Sequence, residues 1–172
     1  MSPQQLSVKA SNTIYSRFKA LFNSTKSNVI ARSPKRPKQS SFPKPNEILN
    51  LSDEVIRTAG ISFQKISYIK NIATAFANDE IDIKALNKST DEEVIINLTK
   101  LKGVGKWTAE MTLIFTLNRP DVFSIGDLGL RHAVEKLYGI SDQKKILKLS
   151  EKWQPHRSTA SWYLWRSLEN KT

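Results

Sequence analysis

The apolar positions recur with helical spacing along almost the whole chain. Ala10, Ile14, Phe18 and Leu21 fall at i, i+4, i+8 and i+11, so "SVKASNTIYSRFKALF" reads as an amphipathic helix. Glu47–Leu51 reads as a short helical turn, and Ser52 is placed to cap a segment from Asp53 to Ala59 that Gly60 ends. Ile66, Ile69, Ile72, Ala73 and Phe76 share one face of a longer helix. Ser89 with Glu92 forms a capping-box pattern opening a helix that carries Val94, Leu98 and Leu101. Further helices are expected over Thr108–Leu117, over about 128 to 138 with Gly139 as the stop, and around Arg157–Leu168. Between 23 and 46 the pattern breaks: "NSTKSNVIARSPKRPKQSSFPKP" is rich in Ser, Pro and basic residues and reads as a loop. Its "RSPKRPK" suits either a solvated loop or an arm that touches phosphates, or a nuclear address. With no strand pair, fixed-period repeat or heptad array, the expected fold is all-α, one multi-helix domain over 1–172.

Composition narrows the function. A chain of 172 residues with 39% hydrophobic and 25% charged content is globular in character. No apolar run reaches the ~20 residues that span a bilayer, and the N-terminus lacks the apolar centre of a signal peptide. The absence of cysteine excludes disulfides, thiolate zinc sites and cysteine-held iron–sulfur clusters. Twenty-seven Lys and Arg against sixteen Asp and Glu leave a net charge of +11, which favours a polyanionic partner, nucleic acid first.

The corner "LKGVGKWTAEM" stands out against this helical background. Gly103 and Gly105 allow a sharp turn, and Val104 between them would pin it to the core. The backbone N–H groups at the start of the next helix, with Lys102, Lys106 and Thr108 beside them, suit a phosphate. Two readings are open: an ordinary interhelical turn with a glycine cap, or a helix–hairpin–helix that grips a nucleic-acid backbone without reading sequence. Downstream, Asp127 immediately precedes a helix. It is either a simple N-cap or a carboxylate that stabilises a developing cation, and one residue can do both. Trp107, Trp153, Trp162 and Trp165 all lie in the second half; aromatic walls suit a pocket for a flat cationic base, although most tryptophans serve only as core. His132 and His156 lack metal-ligand spacing, and no nucleophile triad or phosphate-loop signature is present.

Taken in order, "QQLSVKAS", "FPKPNEIL", "LKGVGKWTAEM", "RPDVFSIGDLGLRHAV" and "WQPHRSTASWYLWR" resemble the helix–hairpin–helix DNA glycosylase superfamily, most closely its alkylpurine (3-methyladenine) branch of bacterial and fungal type. The resemblance implies that Gly103, Val104 and Gly105 hold a DNA phosphate, often with a monovalent cation on the hairpin backbone, and no metal held by side chains. It implies that Asp127 is the essential aspartate, that Trp107, Met111 and Trp165 line the base pocket, and that Leu6 wedges into the space left by a flipped nucleotide. Members that also cut the strand carry a catalytic lysine where this chain has Trp107, so a monofunctional enzyme without a cofactor is implied. Its expected partner is double-stranded DNA bearing alkylated bases or abasic sites. A monomer is expected, in the nucleus of a eukaryote or otherwise in the cytoplasm, with no membrane partner. The chain departs from the family in three places. It opens directly on the "QQLS" helix, which leads us to expect a minimal or N-terminally truncated form; its basic loop is long; and Ser124 stands where Pro often occurs. The competing expectations are a lesion- or abasic-site-binding protein of the same fold that excises nothing, and a generic hairpin module in a larger assembly.

Overall fold

A computed structural model of the chain describes residues 8–22 and 42–169. The described residues hold ten α-helices and no strand. They fall into two compact units that divide between Asp82 and Ile83.

The first unit contains α1 (Val8–Ala20), α2 (Pro45–Leu49), α3 (Asp53–Arg57) and α4 (Phe63–Ala77). Its core is Phe18, Phe22, Ile48, Ile56, Ala59, Ile61, Ile66 and Ala73, so the spacing of Ile14, Phe18 and Leu21 turns the expected face of α1 inward. α2 begins two residues earlier than expected because Pro45, with its fixed φ and missing N–H, occupies the first helical position. Ser52 Oγ accepts the Val55 N–H at 3.3 Å to start α3, and Gly60 follows that helix at φ +91°.

The second unit contains α5 (Ile83–Lys88), α6 (Asp91–Thr99), α7 (Lys106–Phe115), α8 (Leu128–Tyr138), α9 (Gln143–Ser150) and α10 (Arg157–Glu169), with a 3₁₀ turn at Glu151–Trp153. α6 packs on α7, and α8 on α10. One core cluster joins Leu130, Ala133 and Val134 of α8 to Ile146 and Leu164, with Phe123, Ile125, Trp153 and Trp165 packed around it. The capping box that opens α6 lies one residue later than the pattern suggests. Thr90 Oγ1 accepts the Glu93 N–H at 3.3 Å, and Glu93 Oε2 accepts the Thr90 N–H at 2.8 Å. Ser89 instead donates its hydroxyl back to Ala85 O at 3.3 Å, at the end of α5. The two registers compete for the same local chemistry, and the one that prevails starts a helix burying Val94 and Leu98. Gly139 closes α8 in the left-handed region at φ +67°.

Candidate active site

The hairpin lies between α6 and α7. Gly103 has φ +99°, a conformation that side chains disfavour, and the Val104 N–H closes the turn on Leu101 O at 3.0 Å. Gly105 is the N-cap of α7, at φ −90°, and no side chain caps the helix there. The first intrahelical bond is Ala109 N–H to Gly105 O at 3.1 Å, so the N–H groups of Lys106, Trp107 and Thr108 precede it. A helix start built in this way presents a row of donors to an anion. Val104 and Thr108 are half-buried, while Lys102 and Lys106 are exposed. Lys106 makes only a loose 3.9 Å ion pair with Glu110, one turn on.

Twenty residues beyond Trp107, Asp127 is the N-cap of α8 and only 9% exposed. Three donors converge on its carboxylate. The Leu130 N–H meets Oδ1 at 2.8 Å, the Trp165 indole N–H meets the same oxygen at 2.9 Å, and the Trp107 indole N–H meets Oδ2 at 2.8 Å. The N-cap reading of Asp127 holds, and the cap leaves room for the chemical one: the cap fixes one oxygen, and two tryptophans from α7 and α10 fix the plane of the group. Each carboxylate oxygen accepts about two in-plane hydrogen bonds. Oδ1 is thus filled, whereas Oδ2 keeps one position.

Trp107 remains 51% exposed. On α7, Met111 and Phe115 follow it at i+4 and i+8, and Phe115 stacks on Trp165 with ring centroids 5.6 Å apart. Indole, thioether and phenyl groups thus run along one helix side next to the carboxylate. The other two tryptophans take no part: Trp153 packs against Phe123 and Tyr138, and Trp162 is exposed beside Tyr163. Trp162, at 52% exposure, is therefore not a core tryptophan. Leu6 lies outside the described residues.

Three further residues surround Asp127, of which sequence reasoning singles out only Ser124, and that only as a departure from the family. Glu110 is 6% exposed and accepts the hydroxyl of Ser124, itself fully buried, through a short hydrogen bond. Ser124 O in turn accepts the Asp127 N–H at 3.0 Å, so α7 is tied to the loop that delivers Asp127. The third is Gly129, in the first turn of α8: a Cβ there would stand 3.1 Å from Asp127 Oδ1. A glycine placed inside a helix at a cost in propensity was the available signal for it. For Glu110 there was none.

Upstream, the loop 118–124 is latched to the start of α10. The Arg157 guanidinium grips Asp121 through Nε–Oδ1 at 2.7 Å and Nη2–Oδ2 at 2.9 Å. Ser158 Oγ donates to Arg119 O at 2.6 Å and accepts the Val122 N–H at 3.0 Å. The Arg157 bonds hold the carboxyl of Asp121 below its usual range, chiefly through the side-chain hydrogen bond.

A helix–hairpin–helix followed by a capped, indole-clasped aspartate defines a class of helical DNA-binding folds with a buried acid. Within it, the chain belongs to the HhH-GPD superfamily of base excision DNA repair proteins, whose family model matches residues 1–156. It is 37% identical over 171 residues to DNA-3-methyladenine glycosylase 1 of Schizosaccharomyces pombe, covering 97% of this chain and 68% of that protein. It is 31% identical over 169 residues to a putative DNA-3-methyladenine glycosylase of Bacillus subtilis, covering 96% of this chain but 55% of the relative. The solved Schizosaccharomyces pombe 3-methyladenine DNA glycosylase in complex with abasic DNA superposes with a TM-score of 0.80 at 36% identity, covering 97% of this chain and 76% of that one.

Proposed function

We propose that the chain is a monofunctional DNA glycosylase that hydrolyses the N-glycosidic bond of alkylated purines, of the 3-methyladenine and 7-methylguanine type, in duplex DNA. The observation that carries this reading is the clasp on Asp127: a nearly buried carboxylate whose orientation is fixed by two indoles and a helix start. The relatives' activity and the abasic-DNA complex of one of them support it.

The hairpin supplies the grip. Main-chain donors at Gly105 to Thr108 hold a phosphate, with Lys102 and Lys106 adding charge, and none of these contacts depends on base sequence. Residues 101–105 carry no side-chain oxygen, so the monovalent cation that the resemblance implies would rest on main-chain carbonyls. Such hard oxygen donors fit it, and its contribution would be electrostatic attraction for the phosphate.

The chemistry follows from charge. A flipped purine alkylated at N3 or N7 is already cationic, and it meets the aromatic side made by Trp107, Met111 and Trp165. The C1′–N bond breaks with its electron pair going to the base, which leaves neutral, and positive charge appears on the sugar. Asp127 Oδ2, the oxygen with a remaining acceptor position, faces that charge and accepts a hydrogen bond from the attacking water. The water oxygen bonds to C1′ and a proton is released, giving the free base and an abasic sugar. Trp107 cannot form the Schiff base through which a lysine would cut the strand, so the backbone stays intact.

The test is release of 7-methylguanine and 3-methyladenine from methylated duplex DNA by the wild type and by Asp127→Asn. We expect release by the wild type without strand cleavage, at least about a hundredfold less by the variant, and similar binding of abasic duplex by both. Tight abasic binding by a wild type that releases no base would overturn the reading in favour of a lesion-binding protein.

A further inference from the structure

We propose that Gly129 is a positioning residue whose absent side chain leaves the space in which Trp165 delivers its N–H to Asp127. This inference rests on the glycosylase reading for its consequence in rate, but not for its geometry.

Gly129 is the second residue of α8, in helical backbone, and nothing in its dihedral angles calls for glycine. In such a place glycine is a poor choice on propensity alone. The reason for it lies outside the helix. A Cβ at this position would sit 3.1 Å from Asp127 Oδ1, 3.2 Å from Trp165 Cδ1 and 3.3 Å from Trp165 Nε1. All three distances are tighter than ordinary van der Waals contact, and they fall on both partners of a single hydrogen bond, the 2.9 Å indole–carboxylate bond. The capping carboxylate is tied to the Leu130 N–H at 2.8 Å, so it has little freedom to retreat. Trp165 is only half-buried, although its ring is braced by Phe115. A methyl group at 129 therefore displaces the indole first. Oδ1 then loses one of its two donors, and the carboxylate is oriented only by the Leu130 N–H on Oδ1 and the Trp107 indole on Oδ2.

A glycine needed only for the fold would make Gly129→Ala lower Tm and leave the rate of the folded protein unchanged; a positioning glycine does the reverse. Alanine at 129 would favour the helix, so folding should be unharmed or improved, while the active site is disturbed. The experiment compares wild type, Gly129→Ala, Trp165→Phe and the double variant, each as the full chain. Single-turnover release of 7-methylguanine should fall about tenfold or more in Gly129→Ala, the scale of one hydrogen bond to a charged group. Abasic-duplex binding should change less than about twofold and Tm should not drop. The double variant should be no slower than Trp165→Phe alone, because both changes remove the same bond. A rate equal to wild type, or losses that multiply, would overturn the proposal.

A readout independent of activity keeps the two readings separable. In ¹H–¹⁵N spectra, the Trp165 indole resonance is identified by its loss in Trp165→Phe. It should shift in Gly129→Ala and in Asp127→Asn alike. If that resonance stays in place in Gly129→Ala, the positioning role fails even where the enzyme is active. If it shifts while the wild type releases no base, the geometry stands and the glycosylase reading falls.

Discussion

Trp107 and Asp127, twenty residues apart in the chain, are joined by an indole N–H to Oδ2 hydrogen bond of 2.8 Å. Trp107 is also the second residue of the helix that begins at the hairpin. The element proposed to grip DNA and the group proposed to do the chemistry are thus one side chain apart.

Trp107→Phe keeps a smaller aromatic face and deletes the N–H. We expect single-turnover base release to fall about 10- to 100-fold, the range for losing one hydrogen bond to a charged group. Binding to abasic duplex should change little. Were Trp107→Phe as fast as wild type, the indole would serve as a wall and not as a clasp.

The hairpin gives a prediction that separates fold from grip. Gly103→Ala, at φ +99°, should cost about 1–2 kcal/mol of stability, measurable by urea unfolding. Gly105 is different, because nothing lies within 4 Å of a Cβ built there and its φ is unremarkable. Gly105→Ala should therefore leave folding nearly unchanged, so any loss of duplex affinity reports on the approach of DNA. Gly105→Pro deletes that residue's N–H and should weaken binding to every duplex. Lys106→Ala, which removes a side chain 70% exposed, should weaken binding uniformly across sequences and reduce the salt slope by about one.

What the chain reveals by itself is mostly local. The hairpin, the Asp127 cap and the Gly139 stop depend on neighbours within four residues, and their patterns are written in adjacent letters. α5 and α9 are missed because each is short: Ile83–Lys88 buries only Leu86, and Gln143–Ser150 sets three apolar residues among five polar ones. The α6 cap is misplaced by one because Ser89 with Glu92 and Thr90 with Glu93 satisfy the same rule. The site's long-range bonds are not legible from pattern. Trp165 reaches Asp127 across thirty-eight residues, and Glu110, of a residue type that normally faces water, is turned inward toward Ser124.

That inward turn yields a third prediction. Ser124→Ala leaves the Glu110 carboxylate buried without its hydroxyl donor, a loss worth about 1–3 kcal/mol. Glu110→Gln supplies an amide that can still accept from Ser124, so it should be milder. Thermal unfolding of the two variants gives the ranking, and the reverse order would show that Glu110 is held mainly by Lys106.

The Asp121–Arg157 pair makes stability depend on pH in a definite direction. Four hydrogen bonds from Arg157 end on Asp121, three on its carboxylate and one on its carbonyl. They lower the folded pKa of that carboxyl, the side-chain bond contributing most. The unfolded chain therefore binds a proton at a pH where the folded chain still does not. The stabilisation is fully present above the unfolded value of about 3.9 and disappears as pH falls through the folded one. Asp121→Asn should accordingly be less stable than wild type at pH 7, and the gap should close as the pH is lowered below about 4. Because Ser158 and Arg157 fasten the loop that leads to Asp127, base release by the variant should fall in parallel with stability. Paired unfolding curves at pH 7 and pH 3 measure the effect; an undiminished gap at pH 3 would mean that the loop is held by the backbone and Ser158 bonds, with the ion pair adding nothing.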